Sequence, residues 1–184
     1  MPLLRALWSL SVVVCAMSSV TIGAARSTVA QTQAAGSTWN DASPVLLDQV
    51  ATLVVAALAA GTVLLGALVV SALRWRTIHR RPPATVAVLI AGGLSLTALL
   101  ILQAGLRDTV GLTSLFDQTP YRGALEVFQD YPGQLALWGR TLVGSVMATG
   151  ASLVALIGLL LPDPTAGQRS NRAMGSTARP RSQP

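Results

Sequence analysis

Lysine is absent from this 184-residue chain, cysteine and histidine occur once each, and aspartate and glutamate together number seven. Each scarcity removes a class of function. A single cysteine, Cys15, leaves no intrachain disulfide. It follows Val13 and Val14 inside an apolar run, whereas a lipoprotein site wants a small residue just before the cysteine, so lipid anchoring there is not expected. Metal and haem centres gather several His, Cys or acidic ligands. Here His79 and Cys15 sit on different segments, and no cofactor is expected. His79 reads as a solvated or lipid-facing loop residue. No glycine-rich phosphate loop and no zinc-hydrolase helix motif is present. The only carboxylates placed for acid–base chemistry are Asp117, Glu126 and Asp130. Glu126 and Asp130, four apart, would share a helix face. Without a histidine or further ligand they read as a solvated face, and an enzyme is not expected.

Charge is scarce too, at 11% of residues against about 25% in soluble domains. In its place are four long apolar blocks within a chain that is 52% hydrophobic. A spanning helix needs about 20 such residues. The sequence therefore predicts an all-α integral membrane protein. It would be a small bundle of three transmembrane helices, at about 50–73, 84–104 and 141–161, preceded by an N-terminal signal peptide or signal-anchor helix over 1–30. The first segment has Arg5, an apolar core from Leu7 to Met17, and two small-residue exits, Gly23-Ala24-Ala25 and Thr28-Val29-Ala30. That layout favours cleavage after Ala30 or Ala25; its length leaves an uncleaved anchor as the alternative. Residues 31–49 read as an extracytoplasmic linker with no core, 105–140 as an outer loop, and 162–184 as a disordered basic tail.

Arginine placement orients the chain. With the loop after the first span inside, nine arginines (Arg5, Arg74, Arg76, Arg80, Arg81, Arg169, Arg172, Arg179, Arg181) face one acid, Asp163. The outside holds Arg26, Arg107, Arg122 and Arg140 with six acids. The positive-inside rule then predicts a multi-pass protein of the inner (plasma) membrane, its mature N-terminus outside and its C-terminus cytoplasmic. Exclusive use of arginine suggests a GC-rich bacterial genome. The basic loop and tail should attract anionic lipid head groups; the tail is too sparse in arginine for a nucleic-acid module, and no nucleic acid is expected.

Small residues recur every four positions in each span: Ala56 and Ala60; Ala87, Ala91 and Ser95; Gly144, Ala148 and Ser152. Such faces let helices approach closely in lipid. The span hydroxyls are expected to bond their own backbone carbonyls. In the outer loop, Thr119 and Pro120 could start a short interfacial helix that Pro132 and Gly133 end, with Phe116, Tyr121, Leu125 and Phe128 as candidate partner-docking residues. With no chemical constellation and no ionisable residue within the spans, the leading expectation is a non-enzymatic accessory or scaffold subunit that packs on other membrane proteins or on itself. A small oligomeric transporter, pore or export component is the alternative, and a membrane enzyme using the outer-loop acids is the least favoured.

Overall fold

A computed structural model describes residues 2–35, 39–118 and 133–162, with side-chain surroundings for 2–32, 34–35, 48–107 and 139–162. Among these residues the fold is all helix: α1 (Pro2–Ala34), α2 (Trp39–Leu73), a single-turn α3 (Trp75–Ile78), α4 (Pro82–Gln118) and α5 (Gly133–Leu160). Four stretches are long and apolar enough to cross a membrane: Pro2–Thr32, Asp48–Leu73, Pro82–Arg107 and Gly139–Leu160.

Several expected boundaries move. The linker over 31–49 is mostly helix, because α1 runs to Ala34 and α2 begins at Trp39. The second span does not stop as a helix near Ala104; α4 continues to Gln118, and α5 begins at Gly133, so both ends of the expected outer loop are helical. The reason is that hydropathy marks where apolar side chains stop, whereas a helix stops where its backbone is broken. No proline or helix-ending glycine pair lies between Arg107 and Gln118. Gly133, read as a helix stop, is the first residue of α5. The proposed interfacial helix over 120–130 and the tail after Pro162 fall outside the described residues.

The four long helices run antiparallel to their neighbours in the order α1, α2, α4, α5, with α5 closing back on α1. The tightest pairs are α4 with α5, α1 with α2, and α1 with α5; α2 touches α4 and α5 only slightly. Buried positions recur at alternating steps of three and four. On α1 they are Leu4, Trp8, Ser11, Cys15, Ser18, Ile22, Ala25 and Val29. On α2 the stripe is Val50, Leu53, Ala57, Ala60, Leu64, Ala67 and Ser71, and on α4 it is Ala84, Val88, Ala91, Ser95, Ala98 and Leu102. A step averaging 3.5 is below the 3.6 residues of a helical turn, so the helices must wrap around each other left-handedly to keep these stripes in contact. α5 carries two adjacent stripes, one including Thr141, Ser145, Ala148, Ser152, Ala155 and Leu159, the other Gly144, Ala151 and Gly158. It is accordingly the most enclosed of the four long helices. The remaining faces present Val55, Leu58, Leu65, Leu89, Leu96, Leu100, Val146 and Ile157 outward, as suits a lipid solvent.

Candidate functional site

The interior is built from small and hydroxyl-bearing residues, and its polar part is a seam around α1. Lipid is as apolar as leucine, so helices in a bilayer gain little from hiding leucine and more from close contact and interhelical hydrogen bonds. Both occur here. Where α4 meets α5, a Cβ added at Gly144 would lie 2.9 Å from Leu102 Cγ and 3.1 Å from the Leu102 backbone nitrogen. Gly105 abuts Thr141 and Gly158 abuts Ala87 still more closely. Where α1 meets α2 and α5, hydrogen bonds take over.

Trp8 Nε1 donates to Ser71 Oγ at 3.1 Å, and Ser71 passes its own proton back to the Ala67 carbonyl at 2.7 Å. Ser11 and Ser152 hydroxyls meet at 2.8 Å, and Ser152 donates to the Ala148 carbonyl at 2.8 Å, which leaves Ser11 as the donor between them. Ser19 Oγ lies 3.0 Å from Ser145 Oγ, which donates to the Leu142 carbonyl at 2.9 Å. In the first two relays α1 supplies the donor, and a serine of α2 or α5 accepts while closing onto its own backbone; Ser19 also lies 2.8 Å from the Cys15 carbonyl, so its single proton is shared between that acceptor and Ser145. The Cys15 thiol points at the Ala60 carbonyl at 3.9 Å. At the end of the bundle Arg5 Nε donates to the Leu159 carbonyl at 3.0 Å, satisfying one of the last acceptors of α5. Of the ten hydroxyls in the three expected spans, eight bond a backbone carbonyl three or four residues earlier; the other two, Ser95 Oγ and Thr141 Oγ1, are buried without a partner.

The seam predicts a modest, localised coupling. In a double-mutant cycle of Ser11→Ala and Ser152→Ala, unfolding from mixed micelles should give a coupling of about 0.6 kcal/mol, the usual worth of an interhelical bond in a membrane protein. The pair Ser9→Ala and Ser152→Ala should give none, since Ser9 faces outward.

One end of the bundle is basic. Arg5, Arg74, Arg76, Arg80 and Arg81 collect there around the α2–α3–α4 corner, and Pro2, Leu3, Leu4, Arg74 and Thr77 line a pocket of about 260 Å³. His79 is exposed and stacks on Trp75, with ring centroids 6.1 Å apart. A second, larger groove of about 520 Å³ opens to the lipid side between α1 and α2, lined by Val14, Met17, Ser18, Thr21, Ala51, Thr52, Val55, Ala56 and Ala59. Among the described residues no three His, Cys, Asp or Glu side chains converge on a point that could hold a metal ion.

The packing candidates read from sequence fall as follows. Ala56, Ala60, Ala91, Ser95, Gly144, Ala148 and Ser152 are buried and Ala87 is half-buried against Gly158. Of the docking candidates, Phe116 lies on the far end of α4, its side chain outside the described set; Tyr121, Leu125 and Phe128 lie outside the described residues, as do Glu126 and Asp130. The sequence reading does not single out Trp8, Ser11 or Ser19: it places the first two in the apolar core of an export segment and the third in its more polar exit. Their signal was the three-and-four spacing with Cys15 and Ile22.

These features define a class: an all-helical membrane protein with four membrane-capable helices packed through small residues and hydroxyl relays. No family model, curated protein or solved structure matches the chain.

Proposed function

We propose that this chain is a non-enzymatic accessory or scaffold subunit of a membrane complex, seated in the inner (plasma) membrane with its basic end in the cytoplasm. The observation that carries the reading is the use made of the interior. The facing stripes are filled by alanine, glycine, leucine and tryptophan, and their hydroxyls are largely spent on one another and on backbone carbonyls. What the chain offers a partner is its outside: apolar helix faces, a basic corner suited to anionic lipid head groups, and the segment between α4 and α5. The chemistry of a larger assembly would then reside in other chains.

Two experiments test this. For the subunit role, the protein at native expression level is purified in mild detergent and its assembly weighed by native mass spectrometry. A stoichiometric complex with a different membrane protein is expected; a homo-oligomer that also conducts ions in liposomes would replace this reading with the pore. For orientation, single cysteines are placed in a Cys15→Ser background. Ser114→Cys should react with an impermeant reagent in intact cells and Thr77→Cys should not, because the arginine excess belongs inside. The reverse pattern overturns the orientation.

A further inference from the structure

We infer that residues 2–34 are a permanent part of the mature protein: α1 is the fourth helix of the bundle rather than a removable export signal, and its start lies at the same end as the 74–81 corner. This goes beyond the subunit reading and does not depend on it.

The first support is the register. The buried stripe of α1 runs unbroken from Leu4 to Val29 at three-and-four spacing, matching the stripes of α2 and α4. An export signal needs an apolar core and a small-residue exit, and neither requirement places one face of a helix in coiled-coil register through eight buried positions.

The second support is continuous pairing. Along α5 the partners of α1 fall in antiparallel order from one end to the other: Arg5 with Leu159, Ser11 with Ser152, Ser19 with Ser145, Gly23 with Leu142, and the Arg26 guanidinium over Gly139. On the α2 side Trp8 bonds Ser71, and Ile22, Ala25 and Val29 pack with Val50, Leu53 and Ala56. The contacts pass the first sequence-predicted cut, after Ala25, and reach Val29 beside the second.

The third is the state of the cut sites. Both scissile bonds lie inside one continuous helix, with Ala25 and Val29 buried. Proteolysis concentrates at exposed, loosely held backbone, so cleavage at either site would first require α1 to unwind and leave its groove.

The fourth is what removal would undo. α2 packs chiefly on α1 and only slightly on α4 and α5. Without α1, α2 loses its main neighbour, and Ser71, Ser145 and Ser152 lose their interhelical hydrogen-bond partners. With α1 retained, the chain crosses four times, and Arg5 joins Arg74, Arg76, Arg80 and Arg81 on one side of the membrane.

Intact mass of C-terminally tagged protein purified from membranes decides retention. A chain that still includes residues 2–34 is expected; one beginning at Arg26 or Gln31 overturns the inference. Its packing basis is tested by Ser11→Cys with Ser152→Cys in a Cys15→Ser background, with a protease site inserted at 36–38. After oxidation and cleavage the two fragments should migrate together until reduced, while Ser9→Cys with Leu153→Cys, both facing outward, should not link. A full-length chain whose Ser11/Ser152 pair fails to link would equally overturn the account. Leu3→Cys should resist an impermeant external reagent as Thr77→Cys does; labelling of Leu3→Cys alone would place the N-terminus on the other side.

Discussion

Gly158→Leu should lower the membrane abundance of the protein severalfold and destabilise what remains by about 3 kcal/mol, the upper part of the range for forcing extra atoms into a packed interior. The obstacle at this glycine is rigid. A Cβ there would overlap the Ala87 Cβ and sit 3.5 Å from both the Ala87 Cα and the Pro83 carbonyl oxygen. Backbone cannot rotate aside as a long side chain can, so α4 and α5 would have to separate, at the tightest pairing in the bundle. Gly158→Ala should show a smaller loss in the same direction. Gly93→Ala and Gly150→Ala are the contrast, since nothing lies within 4 Å of either added carbon; they should stay within about 0.5 kcal/mol of the parent. Immunoblots of membranes and the melting midpoint in mild detergent read both series. A Gly158→Leu protein that is as abundant and stable as the parent would mean the two helices do not meet at this point.

Trp8→Ala should be the most damaging substitution on α1. The indole is fully buried, the largest side chain in the interior, and donates to Ser71. In a water-soluble core a tryptophan truncated to alanine costs about 3–5 kcal/mol. In lipid the transfer part of that cost is weaker, because the alternative surroundings are also apolar; the lost contacts remain, and about 2–3 kcal/mol is expected. Trp8→Phe keeps an aromatic ring but removes the N–H and part of the indole, so it should cost roughly 1–2 kcal/mol, a hydrogen bond and a small void. Ser71→Ala, which leaves the indole N–H unpaired, should resemble Trp8→Phe and fall well short of Trp8→Ala. Detergent melting of the purified protein checks the ranking. Equal effects from all three would assign the role of Trp8 to the hydrogen bond instead of to the volume it fills.

The sequence by itself determined the solvent. Blocks of uncharged apolar residues about 20 or more long, bounded by arginine, leave the backbone no acceptable state in a bilayer except a helix bonded within itself. The four long apolar blocks, the basic turn after Leu73, and the gathering of charge toward the ends of the blocks were all legible in the sequence. Tertiary structure decided three other things. Helix ends lay beyond hydropathy, because Gln118 and Trp39 belong to helices whose apolar parts stop earlier. The repeat of small residues every four positions captured Gly144, Ala148 and Ser152 but only half of the pattern, since wrapping makes the contact stripe alternate three and four. The packing partners of the first helix were hidden most deeply. Ser18, Ser19 and Thr21 lower the hydropathy of α1 after its apolar core, and hydropathy alone reads such a decline as the end of an export signal. Whether a hydroxyl is a local loss of hydrophobicity or a donor in an interface depends on what stands opposite it. The serines opposite Ser11 and Ser19 lie more than a hundred residues further along the chain, brought within hydrogen-bond reach only when α5 folds back against α1.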